Sequence, residues 1–592
     1  FPAYIFQVKE YFQKLYLLID YTIEIQTVLP LVKVLNYFSK DNLINLRCIC
    51  SFQGWSHGKI ISFENDYCKV FIFDTKTEEL LPITKVIPKL PQEFIKQILT
   101  SSGVQYDLPK ETKRGSFASD KNASRQRADI TRNVTTDLVE NTFPLKIGSS
   151  TITISSEPVR VSPRGDGSSQ LRVDGLKEPQ VEFSKHRASP DVREGITQYG
   201  SYDNNPRNIE IIPLCSSQYQ NNMQSLIDRL RTGKFKYKGS ERTFGVKLTY
   251  NTVITTDPEN SQREIFRLLE QHPEWKGDPQ LSRIFLVHCP EFGHSVDDET
   301  SPYYTTKRLL LEAGIPCQMV DTPTLQNPDF KDLNLALNIV AKCGQTPWVL
   351  PESIPDCDFF IGLSYTQNYR KDSNRVMAFA NVFNEYGRWE FYSGGSEVFA
   401  FEDRVKHYEA LVKETLSKLK LSEEPTICFH YSAKFSREDK AAILKAARSI
   451  RPNGTYVFVW INSHHNLRFY DDRSETNGSL MRGRYVISRT NQIFLSTTGD
   501  NPYRRALGTP KPLELNIFIE AKNNTTKIPD LRILASQVLS LTKLNWASTD
   551  SHCAEPITTK YAGDIAYLTG AFLRQGGEFK LHPVLERTPW FL

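Results

Sequence analysis

Between residues 15 and 100 the chain alternates apolar and polar positions over short runs rich in β-branched and aromatic side chains: LYLLIDYTIEI, NLRCICSF, GKIISFE and CKVFIFDT. A period of two over so few residues predicts half-buried strands. The amphipathic PQEFIKQIL that follows predicts a short helix, so the region reads as a small β-rich module. Residues 101–142 lose the alternation: KETKRGSFASDKNASRQRADITRNVTTD is polar with mixed charge and reads as a solvated loop or linker. Strand-like segments return at 143–185 (FPLKIGSSTITISSEPVRV and PQVEFSK), and a Gly, Asn and Pro-rich stretch closes this part near residue 207.

Beyond 207 the rhythm changes. Strand IFLVHC, helix SPYYTTKRLLLEAG, strand PCQMVD, helix DFKDLNLALNIVAKCG and strand TPWVL follow one another, which is the pattern of an open α/β sheet. Ser301 before Pro302 and Gly314 at the far end match the capping preferences of a helix. From 358 come three strands (DFFIGLSYT, RVMAFANVF, RWEFYSG), a helix over 402–420, strand TICFHYS, and a helix opened by Ser436 and Asp439 in capping-box spacing. Strands TYVFVWIN, RYVIS, QIFLSTT and PLELNIFIE precede two helices, LRILASQVLSLTKL and TKYAGDIAYLTGAFL. Three strands followed by alternating helix and strand is the order of an RNase H-like fold. The fold class is therefore multidomain α/β, with a Rossmann-like domain ahead of an RNase H-like one.

Composition narrows this further. At 592 residues the chain exceeds one core, and roughly one domain per 150 residues suggests about four. With 39% hydrophobic and 24% charged residues it reads as a soluble globular protein. Its longest apolar runs fall far short of the roughly 18 residues that span a bilayer, and no signal-peptide core follows a basic start, so no membrane partner and a cytoplasmic location are expected. Opening on Phe1 rather than Met, the sequence reads as part of a longer protein that lacks an N-terminal domain here. Net charge is +5, from 73 Lys and Arg against 68 Asp and Glu, which permits a local basic channel without requiring one. The ten cysteines are scattered without zinc spacing; Cys48 and Cys50 fall on one strand face, and buried reduced thiols are expected.

Several strings occur in a telling order: Tyr303-x3-Lys307, GIPCQ ending at Gln318, Lys342 in NIVAKCG, IGLS at 361–364, GTPKPL at 508–513, LNWAS at 544–548, KYAGDIA at 560–566 and the terminal PWFL. Over about 205–592 the chain thereby resembles the MID and PIWI domains of prokaryotic Argonautes, of the long-B group whose PIWI is often inactive. The resemblance implies a first-linker remnant at 1–30, a reduced PAZ-like module at 31–100 placed by order alone, a second linker at 101–207, MID at 208–350 and PIWI at 351–592. It also implies that Tyr303, Lys307, Gln318 and Lys342 hold a guide's 5′ phosphate. Physics agrees: a helix starting at Pro302 points free N–H groups and its positive end at an anion, and Tyr303 and Lys307 lie one turn apart on one face. Taken singly, each residue also reads as an ordinary core or surface group. In several relatives the C-terminal carboxylate shares a divalent cation with the phosphate, which implies Mg²⁺ held by Gln318 and the carboxylate of Leu592.

RNase H-type cutting needs carboxylates that hold two metal ions about 4 Å apart. At the family's acidic positions this chain has Ser364, Ser432 and Gly563. Asp564 is one residue on, which turns it roughly 100° around a helix. Glu397 in SGGSEVF is a candidate for the family's mobile glutamate and equally a solvated loop residue. Asp358 lies six residues before Ser364, about 20 Å along the strand. The expectation is a catalytically inactive Argonaute, not an enzyme, that binds guide RNA (or DNA), captures complementary DNA in host defence, and works with a separately encoded effector protein. The alternatives are an active endonuclease using an unusual carboxylate set and a scaffold without guide. Arg482, Arg484, Arg504, Arg505 and Lys511 are candidates for lining a nucleic-acid channel; His464, His465 and His552 have no metal-ligand spacing.

Overall fold

The computed structural model describes residues 2–592 apart from 12–13, 24–27, 53, 74, 105–119, 163–170, 291–300, 367–374, 395–397, 474–476, 502–505, 507, 522–529, 551–552 and 576–578. Strands β1 (Pro2–Tyr11) and β2 (Lys14–Ile23) form an antiparallel hairpin. Next come helices α1 (Leu31–Val34) and α2 (Lys40–Leu43) and strands β3 (Arg47–Ser51), β4 (Trp55–Glu64), β5 (Tyr67–Ile72), β6 (Thr77–Pro82) and β7 (Val86–Pro88). The five strands make one antiparallel sheet in the order β6-β5-β4-β3-β7, and α3 (Gln92–Ser101) follows it. Cys48 and Cys50 both enter its core, as their period-2 spacing requires.

The polar stretch read as a linker is in part a nineteen-residue helix, α4 (Ala123–Asn141). Buried Ala123, Ser124 and Arg127 tie it to the protein: Ser124 Oγ lies 2.8 Å from Ser479 Oγ, and Arg127 lies 2.8 Å from Asp20, whose carboxylate also meets Arg468 at 3.0 Å. An inward face that begins with Ala, Ser and Arg leaves no apolar periodic mark. Short strands β8 (Leu145–Ile147), β9 (Ser150–Ile152), β10 (Arg172–Gly175), β11 (Val181–Phe183) and β12 (Arg187–Ser189), then α5 (Val192–Tyr199), complete this part.

The next unit holds β13 (Arg207–Cys215), α6 (Gln220–Thr232), α7 (Ser240–Phe244), β14 (Val246–Thr249), β15 (Ile254–Thr255), α8 (Ser261–Gln271), β16 (Arg283–His288), α9 (Pro302–Glu312), β17 (Cys317–Val320), α10 (Thr322–Gln326) and α11 (Asp332–Lys342). Its strands run parallel in the order β14-β13-β16-β17, with β15 also on β13. Ile209, Ile211, Ile284 and Leu286 face α6 and α11, while Ile212, Leu214, Phe285 and Val287 face α8 and α9. Burial on both faces explains the near-continuous apolar run of the central strands. TPWVL, read as a further strand, is not one. Val349 makes only an isolated bridge to Glu182, and the fully buried Trp348 donates to the Lys543 carbonyl at 3.0 Å, so its apolar character serves a crossing between cores.

The last unit is built on a nine-stranded sheet. In chain order its own strands are β18 (Phe359–Tyr365), β20 (Ala378–Asn384), β21 (Trp389–Gly394), β23 (Thr426–Tyr431), β24 (Thr455–Asn462), β25 (Arg484–Arg489), β26 (Gln492–Leu495) and β27 (Leu513–Glu520), with the two-residue pair β19 (Arg375–Val376) and β22 (Phe399–Ala400) beside it. The order is β10-β25-β26-β27-β24-β23-β18-β20-β21. Strands β18, β20 and β21 are antiparallel, whereas β23 and β24 add to β18 in parallel, each preceded by a helix: α12 (Arg404–Ser417) and α13 (Arg437–Ile450). These two helices cover one face; α14 (Leu531–Leu541) and α15 (Ile557–Arg574) pack on the other. The expected capping box is present, with Ser436 Oγ accepting from Asp439 N at 3.0 Å and Asp439 Oδ2 accepting from Ser436 N at 3.1 Å. Ser301, by contrast, makes no side-chain cap on α9. Among the described residues no helix is long and apolar enough to cross a membrane.

Candidate nucleic-acid interface

Helix α9, strand β17 and helix α11 bring three of the four sequence-derived donors together. Lys307, on α9, is 2% exposed and donates to the Phe591 carbonyl at 3.2 Å. Lys342, the last residue of α11, is 1% exposed and donates to the Cys317 carbonyl at 2.9 Å and to Gln318 Oε1 at 2.8 Å. Gln318 lies within β17, on the strand expected at PCQMVD. Tyr303 is half-buried one turn before Lys307, whose Nζ sits 5.6 Å from the Tyr303 ring centre. Neighbouring Tyr304 instead reaches α15, its hydroxyl 3.0 Å from that of Tyr567.

Among the described residues neither buried lysine makes an ion pair; their partners are carbonyl and amide oxygens. Burying an ammonium without a counter-ion is costly. Burial first, and then the neighbouring charge of Lys307, push Lys342 well below its usual 10.5. The pocket is thus a place where an anion would relieve two desolvated cations. The chain's end contributes to it: Phe591 is buried against Tyr561 and Trp389, and Leu592 is half-buried. A divalent cation would need the Gln318 oxygen, which here accepts from Lys342, so the donor set as it stands suits an anion better than a metal.

A second locus lies at the ends of β18 and β23. These strands pair in parallel as far as Gly362 opposite His430, so Ser364 and Ser432 each lie two residues beyond the last paired position. Ser364 is half-buried and Ser432 exposed. Beneath them α15 plugs the sheet: a Cβ at Gly362 would collide with the Asn381 side chain and the Thr558 carbonyl, and buried His430 Nδ1 lies 2.7 Å from Thr558 Oγ1. On α15, Gly563 faces open space, while Asp564 pairs with Lys560 at 2.9 Å. Asp358, at the far end of β18, accepts from Thr426 N at 2.7 Å. Glu397 lies outside the described residues, as do Arg504, Arg505 and His552. Among the described residues no group of three or more His, Cys, Asp or Glu is placed to hold a metal ion.

Residues 296–574 match the Piwi domain family. The argonaute of Cereibacter sphaeroides (strain ATCC 17025) is 23% identical over 466 residues, 70% of this chain and 58% of that protein; the argonaute of Aquifex aeolicus is 26% identical over 299 residues, 49% and 39% respectively. The chain therefore spans well under two thirds of these relatives. Among solved structures, that of A. aeolicus Argonaute superposes with TM-score 0.63 at 18% identity, covering 100% of this chain and 80% of that one. Clostridium butyricum Argonaute, bound to a guide DNA and a 19-mer target DNA, gives 0.64 at 14%, covering 96% and 77%. In sequence the chain is thus similar to argonautes, and it shares the fold of solved Argonaute structures.

The Piwi match begins at 296 and so takes in α9, β17 and α11 along with the RNase H-like sheet. One channel candidate is corrected. Arg482 is not a liner: its side chain is fully buried, its Nε 2.8 Å from Glu178 Oε2, and Lys543 Nζ reaches the same carboxylate at 2.7 Å. Glu178 came with no distinguishing motif, and sequence reasoning missed this three-charge knot between the 101–207 region and the Piwi sheet. Arg484 is exposed and Lys511 half-buried. The Phe591 carbonyl in the lysine pocket also went unpredicted as a ligand, although the fold-back of the terminal segment was expected.

Proposed function

We propose that this chain anchors the 5′ phosphate of a short guide strand between Lys307 and Lys342, with Tyr303 beneath the first base and Gln318 as a further donor, and that the displayed guide captures complementary nucleic acid. The observation that carries the reading is the pair of buried lysines that meet no carboxylate among the described residues. Charge-assisted hydrogen bonds to a phosphate are the strong kind, and a desolvated pocket magnifies them. RNA is the guide and DNA the target in this reading, with sequence read by base pairing alone as in other guided systems. Copurified nucleic acid tests it: short 5′-phosphorylated strands are expected with the wild-type chain and are lost from the Lys307→Ala/Lys342→Ala double variant. An Mg²⁺ ion between the Leu592 carboxylate and the phosphate belongs to the same proposal. Gln318 would join it only by releasing Lys342, and guide affinity compared in Mg²⁺ and in EDTA decides its share.

The proposed role is capture, not cutting, because serines, Ser364 and Ser432, stand just past the paired ends of β18 and β23, where the resemblance implies metal-binding carboxylates. A hydroxyl cannot replace a carboxylate as a bridging ligand for two divalent ions. Host defence through a separately encoded effector is the biological form of this reading. Its rival, an endonuclease using Glu397 and Asp564, predicts guide-directed cleavage that Glu397→Ala abolishes.

A further inference from the structure

Far from the lysine pocket, two phenylalanines stand out in solvent against one another. Phe235, in the loop between α6 and α7, is 61% exposed, and Phe330, just before α11, is 78% exposed. Their rings stack with centres 5.1 Å apart and planes 9° from parallel. Single exposed apolar residues are ordinary, but these two also share a backbone peculiarity. Phe235 has φ +56° and Phe330 φ +64°, a left-handed conformation disfavoured for bulky side chains. Strain of this kind persists where surrounding structure enforces it and clusters at sites of function.

The enforcement is visible underneath. Arg229 pairs with Asp329 at 2.5 Å and with buried Asp332 at 2.8 Å, and Lys234 reaches Asp329 at 3.3 Å. Buried Tyr237 pins the first loop by donating to the Leu230 carbonyl at 2.7 Å. Arg229 and Lys234 also lie 5.9 and 4.9 Å from the Phe235 ring centre, so cations flank the aromatic surface. The run Lys234-Phe235-Lys236-Tyr237-Lys238 continues that charge, with Lys236, Lys238 and Lys331 exposed, whereas the nearby Asp228 and Asp329 are engaged in ion pairs.

We propose that the Phe235–Phe330 stack is a docking platform for single-stranded nucleic acid, on which an unpaired base extends the ring stack while Lys236, Lys238 and Lys331 neutralise phosphates. A rigid flat aromatic face edged by cations suits a base with its phosphate, since every base has a π-face and the backbone is uniformly anionic. Lys342 ends the helix that Phe330 precedes, and eleven residues at about 1.5 Å each put the platform roughly 16 Å from the guide-end pocket. It is a separate contact and does not rest on that pocket's assignment.

The test uses an unstructured, fluorescent 5′-hydroxyl oligonucleotide, which leaves the phosphate pocket unengaged, and reads anisotropy with the whole chain. Phe235→Ala/Phe330→Ala is expected to weaken binding about tenfold or more, and Phe266→Ala, at an exposed phenylalanine outside the platform, to leave it unchanged. The Phe→Leu pair, which keeps apolar bulk but removes the aromatic face, should weaken it similarly and guards against a folding defect. Photo-crosslinking of an iodouracil-substituted strand should map to the peptides carrying Phe235 or Phe330. Unchanged affinity in both phenylalanine variants, or crosslinks only elsewhere, overturns the proposal. If those variants instead lose binding of an acidic glutamate-tyrosine copolymer while the oligonucleotide still binds, the platform serves a protein partner and the proposal is likewise overturned.

Discussion

At the scale of single residues, Lys342 carries the sharpest expectations. Its pKa lies well below 10.5 because burial and Lys307 oppose its charge. The sign follows from proton counting: between the lowered folded value and 10.5 the unfolded chain holds a proton that the folded chain has released, so this group makes stability rise with pH across that window. An anion reverses the preference by drawing the proton back. Affinity for a 5′-phosphorylated guide should therefore fall as pH rises through the window, and Lys342→Met should flatten the profile. Lys307→Ala should cost about 1.5–3 kcal/mol of that affinity, the usual range for a hydrogen bond to a charged group. Direct titration with phosphorylated and hydroxyl guides checks both, and equal wild-type affinity for the two contradicts the pocket. That lysine and glutamine stood at these positions was legible in the chain. Their burial was not, because nothing within a few residues of Lys307 or Lys342 excludes water from it.

At the scale of elements, local signals held and long-range ones did not. The Ser436–Asp439 box was readable because both partners lie within one turn; Ser436→Ala should cost about 1 kcal/mol in a urea titration. Glu178 shows the opposite case. It is an unremarkable residue in sequence, yet Arg482 and Lys543 are buried around it, and burial pushes the Lys543 ammonium below its ordinary value. Glu178→Ala would strand two buried cations and should destabilise the protein by about 3–5 kcal/mol, read as a lowered denaturation midpoint. Helix α4 and the segment TPWVL were misread for the same reason: each owes its conformation to a distant partner, Arg127 to Asp20 and Trp348 to Lys543.

At the scale of the whole molecule, the Piwi sheet, the parallel α/β unit and the terminal segment meet at the lysine pocket. Removing Phe591 and Leu592 would take away the carbonyl that holds Lys307 and the ring that packs on Tyr561. Guide affinity is expected to fall while the fold, judged by circular dichroism, persists. With guide, labelled complementary strand and Mg²⁺ or Mn²⁺, the chain is expected to leave the target intact; cleavage lost on Glu397→Ala would reverse the reading.

The chain alone determined most of the strand and helix order beyond residue 283, the Ser436–Asp439 cap, the α/β unit ahead of an RNase H-like sheet, and which side chains stand at Tyr303, Lys307, Gln318, Lys342, Ser364 and Ser432. These depend on neighbours one turn or one pleat away, which periodicity records. Tertiary structure alone decided that two lysines are stripped of water together, that Arg482 faces inward to Glu178, that Asp20 gathers Arg127 and Arg468, and that Phe235 and Phe330 stack in the open. Each joins residues tens to hundreds of positions apart, and desolvation is set by what packs around a group, not by what precedes it in the chain.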